Sequence, residues 1–167
     1  MRGGWGCARL LDTLDYELIK ANPKILLGYS DITSLLIAIQ QKSGLITYHG
    51  PVGYSSWKEF STFNVFKALV DGKPFVMKNP FSHTKNLSTI VKGKATGQLI
   101  GGNLTVITSM IGTRHEPNWK NKILFLEETS EEPYRVDRML WQLKQAQVFD
   151  QINGLVIGAF TKCNPED

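Results

Sequence analysis

The stretch "PKILLGYSDITSLL", residues 23–36, sets an apolar run, a glycine, a Ser-Asp pair and a helical repeat in direct succession. Ile25, Leu26 and Leu27 read as a buried strand that ends at Gly28. Ile32, Leu35, Leu36 and Ile39 recur at the three-and-four spacing of one helical face. Ser30 or Asp31 stands where a side chain can accept hydrogen bonds from the first free helix amides, and Gly44 supplies a stop. "LITYHGP" follows as a second strand closed by Gly50 and Pro51. The order strand, helix, strand predicts a parallel sheet and an α/β fold.

Farther along, Phe60, Phe63 and Val70 give a partial apolar stripe that predicts a helix within residues 57–70. Residues 71–95, with "DGKPF", "KNP" and several Ser, Thr and Lys, read as irregular connection and hold the expected domain boundary. "GQLIGGNLTVITSMIG" then brings glycines ahead of an apolar stretch, and "KILFLEE" reads as a buried strand ending at Glu127 and Glu128. Val136, Met139 or Leu140, and Leu143 carry helical spacing, and "LVIGAF" reads as one more buried strand. The chain stops soon after it, without another helix to cover that strand, so truncation is expected on this ground alone.

With 167 residues, 42% of them apolar, the chain can bury one sizeable core or two small ones. Nineteen Lys and Arg against fifteen Asp and Glu give a net charge of +4, but the positive charges form no run and no nucleic-acid motif, so a nucleic-acid partner is not expected. No stretch approaches a membrane span, and "MRGGWGCARL" lacks the apolar segment of a secretory signal, which makes the cytoplasm the expected compartment. Cys7 and Cys163 are too few for a disulfide scaffold or a Cys-rich zinc site. His49, His83 and His115 form no His-Glu-x-x-His motif, so neither a metal nor a cofactor is expected.

A strand, a sharp bend and a helix can expose the Ser30 hydroxyl while helix amides point at a developing oxyanion. The usual five-residue elbow ends in glycine, whereas "GYSDI" ends in Ile32, so local spacing leaves two readings open: a nucleophile, or an N-cap followed by a helix-start acid. A nucleophilic serine needs histidine oriented by a carboxylate, because an adjacent Asp31 cannot reach round the hydroxyl. Glu127, at a strand's carboxyl end, is the strongest distant acid, with Glu128, Glu131 and Glu132 competing. Spacing identifies none of the three histidines as the base. In "MRGGWG", Gly3 and Gly4 can turn backbone amides outward, Arg2 can pair with a carboxylate or phosphate, and Trp5 can pack on a ligand; a flexible beginning explains the same residues.

Taken together, "RGGWGCARLLDTLDYELIKANPKILLGYSDITSLLIAI", "GLITYHGP", "GGNLTVITSMIGT" and "ILFLEETSEEPYRVDRMLWQL" resemble the LD-carboxypeptidase family of serine peptidases, which includes microcin C immunity peptidases. The resemblance implies a two-domain α/β enzyme with a cleft between the domains and a Ser-Glu-His triad. By it, residues 1–75 belong to the nucleophile domain, 76–95 to a linker, and 96–167 to the domain that carries the triad glutamate. Ser30 matches the nucleophile and Glu127 the glutamate; the amides of Asp31 and Gly4 match the oxyanion donors, and Arg2 and Trp5 face substrate.

The implied reaction releases the terminal D-alanine of a murein tetrapeptide in cell-wall recycling. The alternatives are immunity-type cleavage of a peptide-like aminoacyl nucleotide and a non-catalytic structural or interaction remnant. A homodimer is compatible with each. The family's pattern departs from this sequence in two places: an αβ segment normally precedes the glycine loop, and the catalytic histidine normally lies beyond the counterpart of "GLVIGAFTKC". The chain is therefore expected to be incomplete in both domains and impaired as an enzyme, and His49 is not expected to take the histidine's role.

Overall fold

The computed structural model describes residues 3–77 and 87–164. β1 (Leu27–Gly28) and β2 (Tyr48–His49) pair in parallel, with Gly28 opposite His49. Between them runs α2 (Thr33–Ser43), closed by Gly44 in the left-handed region, whose amide donates to the Gln40 carbonyl. The parallel pair is as expected, but both strands are shorter than the apolar runs. Ile25 is 64% exposed, because only Leu27 and Gly28 find a partner strand.

The helical repeat marked one apolar face, and α2 is instead buried almost all round, Ile37 and Ala38 included. The reason is packing: α1 (Tyr16–Ala21), both strands, β3 (Gln98–Asn103) and α4 (Leu104–Met110) all lie against it. Each fully buried Leu or Ile there contributes about 1.5–3 kcal/mol from area removed from water.

The second sheet has the order β3, β4 (Lys122–Thr129), β5 (Gly154–Thr161), all parallel. β4 alternates: Leu124, Leu126 and Glu128 are buried on one face, while Ile123, Phe125 and Glu127 look to the other. α5 (Pro133–Gln145) and the short α6 (Val148–Gln151) make the crossover to β5. Leu143 is fully buried, with Val136, Met139 and Leu140 packed beside it, as the spacing predicts. β5 differs from expectation, since Leu155, Val156 and Ile157 are all 41–48% exposed on this edge strand.

α3 (Glu59–Phe66) continues as a π-helical turn, Lys67–Asp71, within the predicted helical interval. Its Phe60, Phe63 and Phe66 face solvent rather than a core. Residues 87–95 hold no regular structure, and the rest of the expected linker through residue 86, apart from 76 and 77, lies outside the described residues apart from these flanks. One core spans both sheets, running from Leu35 and Leu36 of α2 through Leu104 and Ile107 of α4 to Leu124 and Leu126 of β4. Among the described residues no helix is long and apolar enough to cross a membrane.

Candidate functional site

Where β1 ends, the chain turns through Tyr29 into a single 3-10 turn, Ser30–Ile32, before α2. Ser30 has φ +60°. A non-glycine residue held there carries about 1–3 kcal/mol of strain and persists only where its surroundings over-determine it. Here they do. Gly28 packs so tightly on Ile32 that a Cβ would fall 2.6 Å from Ile32 Cγ2. The N-cap expectation fails: neither the 3-10 turn nor α2 has a side-chain cap, so Ser30 does not serve its own helix.

Asp31 does not cap the helix either. Its Oδ2 accepts from the Cys7 amide at 2.8 Å, tying the glycine loop to the serine turn. A Cβ on Gly3 would lie 3.9 Å from Ser30 Cβ, so the loop runs directly past the serine. Gly4 and Gly6, at φ +139° and +105°, provide the bends that this path needs. Burial, followed by the hydrogen bond and charge of Asp31, pushes the Cys7 thiol up to about 11, so it is no thiolate nucleophile at neutral pH. Trp5 is 80% exposed, with the Arg9 guanidinium 4.8 Å over its ring. Arg2 lies outside the described residues.

Glu127 reaches this neighbourhood through β3. Asn103 is its register partner across the sheet, and the Asn103 amide donates to Thr33 Oγ1 at 3.1 Å, just beyond the serine turn. Gly102 makes that approach feasible, because a Cβ there would fall 2.6 Å from Thr33 Oγ1 and 3.1 Å from His49 Nδ1. Glu127 Oε1 is buried without a hydrogen-bond partner among the described residues. Burial, reinforced by the neighbouring Glu128 charge, holds this carboxyl above its ordinary pKa. His49 Nε2 stands 3.9 Å from that same oxygen, and burial pushes the imidazole below its ordinary value and so toward the neutral form.

Two of the competing acids, Glu128 and Glu131, are engaged elsewhere. Glu128 is 3% exposed and accepts from Asn103 Nδ2, the Thr105 amide and hydroxyl, and the Thr129 amide. Glu131 lies 3.7 Å from Arg135, one helical turn on, and Glu132 makes no side-chain cap for α5. His115 is buried with Nε2 2.6 Å from Asp12 Oδ1, pinning the N-terminal segment to the chain after α4. His83 lies outside the described residues. Among those residues no cluster of three metal-ligating side chains occurs.

Sequence reasoning missed Thr33 and Asn103, the pair that joins the two halves of the site. Asn103 carried a signal, since it precedes an apolar run and caps α4 by accepting from the Val106 amide at 3.1 Å. Thr33 carried none, because a buried threonine in a helical repeat looks like packing.

Residues 1–50 match the LD-carboxypeptidase N-terminal domain and residues 96–167 the LD-carboxypeptidase C-terminal domain. A probable murein peptide carboxypeptidase of Bacillus subtilis is 40% identical over 98% of this chain and 51% of its own length. The crystal structure of muramoyltetrapeptide carboxypeptidase from Oxalobacter formigenes superposes with a TM-score of 0.82 at 28% identity, over 100% of this chain and 56% of that one. The microcin C7 self immunity protein MccF, in complex with aspartyl sulfamoyl adenosine, superposes with a TM-score of 0.75 at 28% identity, over 98% of this chain and 57% of that one. The chain thus spans about half the length of the relatives it matches.

Proposed function

The chain belongs to the LD-carboxypeptidase family, and from that premise we propose that it supplies the serine and the glutamate of a Ser-Glu-His hydrolase releasing the terminal D-alanine of murein tetrapeptide in the cytoplasm. The observation that carries this reading is Ser30 at φ +60°, in the bend between β1 and α2. Such strain, without a capping role to account for it, is what a strand-to-helix nucleophile turn requires.

In this mechanism a histidine takes the Ser30 proton as the oxygen attacks the scissile carbonyl. The amides of Asp31 and Gly4 stabilise the tetrahedral oxyanion; the Asp31–Cys7 hydrogen bond supports the loop that presents Gly4. On collapse the histidine gives that proton to the departing amine, and D-alanine leaves with an acyl-serine behind it. The neutral histidine then acts as base for the water that hydrolyses the ester. Glu127 accepts the histidine's other ring proton, fixing its tautomer and stabilising the imidazolium. A partly buried carboxylate that its own fold does not saturate with hydrogen bonds suits that role. The histidine itself is assigned to the family's length beyond residue 167, and Arg2 to capture of the substrate carboxylate.

The test is D-alanine release from murein tetrapeptide by a form of the protein extended at both ends to the relatives' length. Ser30→Ala is expected to lower kcat by about 10⁴-fold or more, as loss of a triad nucleophile does. Full activity in that variant would remove the mechanism. A second reading, cleavage of a peptide-like aminoacyl nucleotide, draws support from the MccF complex and from Trp5, an exposed indole of the kind that stacks on a base. Turnover of an aminoacyl sulfamoyl adenosine with none of the murein peptide would establish it over the first. An extended form that turns over neither substrate would leave the non-catalytic scaffold.

A further inference from the structure

The unpartnered oxygen of Glu127 lies near a histidine outside the proposed triad, while the Asn103 side chain beside that carboxyl gives its Nδ2–H to Glu128. His49 closes β2, directly opposite Gly28 of the strand that leads to Ser30. Its ring leans across Gly102 toward β4, where it meets Phe125 edge-on at 5.5 Å and approaches Glu127 Oε1 to 3.9 Å. No other basic side chain comes within 4 Å of Glu127 among the described residues. We propose that His49 is a positioning residue for Glu127: its Nε2–H is the donor for Oε1, which leaves the second carboxylate oxygen to face the proton-transferring histidine.

The separation is longer than a hydrogen bond, and closing it takes less than about 1.2 Å of ring movement. The ring is not locked in place by packing on every side, because His49 borders a groove of 370 Å³ between α2, β3 and Phe125. Gly102 makes the approach possible from the other side, since any side chain there would meet the imidazole. A neutral ring suits the task. Burial favours the uncharged imidazole, which donates one hydrogen bond without competing as an ion pair for the carboxylate. A buried acceptor left without a donor is costly, so the pairing also relieves a penalty that the fold otherwise carries.

The role depends on Glu127 being the triad acid, but its test reads no turnover. In the 167-residue chain, ring ¹⁵N shifts of His49 report the tautomer, and the side-chain ¹³C signal of Glu127 reports its titration. The expected results are an Nε2–H tautomer whose signals move in Glu127→Gln, and an upward shift of the Glu127 titration in His49→Ala. Removing a donor from the ionised carboxylate disfavours that form, and His49→Gln, which keeps an N–H donor, is expected to hold the titration near the unsubstituted value. An Nδ1–H tautomer, or a Glu127 titration unmoved in His49→Ala, overturns the assignment. If His49→Ala does not fold, the tautomer and the response to Glu127→Gln decide. Ser30-dependent hydrolysis with a negative result here removes only His49; the converse removes the hydrolase and keeps the contact.

Discussion

Glu127 and Glu128 are joined by one peptide bond and leave β4 on opposite faces. Glu128 points into the core and accepts four hydrogen bonds, two on each oxygen, from Asn103, Thr105 and Thr129. Glu127 points to the other face, and its buried Oε1 accepts none among the described residues. The saturated carboxylate holds the start of α4 against β4 and has no capacity left for chemistry. The unsaturated one is held in a state that only a further donor can relieve, which is the condition of a group kept for function rather than for folding. Strand pleat thereby sends adjacent residues of one type to two different environments.

Exchanging their roles by substitution is the direct way to break the contrast. In the extended, active form, Glu127→Gln is expected to reduce kcat by about 10³–10⁴-fold with little change in KM, since a misoriented histidine tautomer harms the transition state far more than substrate binding. Comparable loss of KM alone would place Glu127 in binding instead. Glu128→Ala is expected to act on stability, lowering the free energy of unfolding by about 3 kcal/mol as four donors lose their shared acceptor; urea denaturation measures it. If Glu128→Ala is neutral, the assignment of that face to structure fails. Gly102→Ala sharpens the comparison at the point where the two halves meet. A Cβ 2.6 Å from Thr33 Oγ1, at φ +140°, is expected to cost about 2 kcal/mol and to disturb the Asn103–Thr33 hydrogen bond.

Much of this contrast could be anticipated, and part of it could not. Periodicity located α2, α5 and β4 because each carries its own burial pattern, 3.6 for the helices and 2 for the strand. It overestimated the burial of Ile25 and of Leu155 to Ile157, because apolar composition does not say whether a neighbouring element covers a residue. The Ser30 turn was legible as a junction, yet its positive φ was not, since "GYSDI" has no glycine at the strained position. Glu127 outranked Glu128 only by its place at the strand end. The pleat sends the two to opposite faces, and long-range packing, which the local sequence does not show, then sets Asn103 and Thr105 on one acid and His49 beside the other.

The smallest expected effect tests the same difference through pH. Burial and the Glu128 charge raise the folded-state pKa of Glu127 above its ordinary value. The folded state therefore holds this proton more tightly than the unfolded chain does. That contribution to stability is fully present below the unfolded pKa and is lost as pH rises through the folded one. Glu127→Gln carries no ionisable group, so it escapes the loss: its stability relative to the unsubstituted chain is expected to rise as pH climbs through that window and to level off above it. Urea midpoints taken from about pH 4 to about pH 8 read the change as a difference between two curves, which cancels every carboxylate they share. A relative stability that falls with rising pH would mean that ionised Glu127 is favoured by the fold, and the distinction between a satisfied and an unsatisfied face of β4 would be lost.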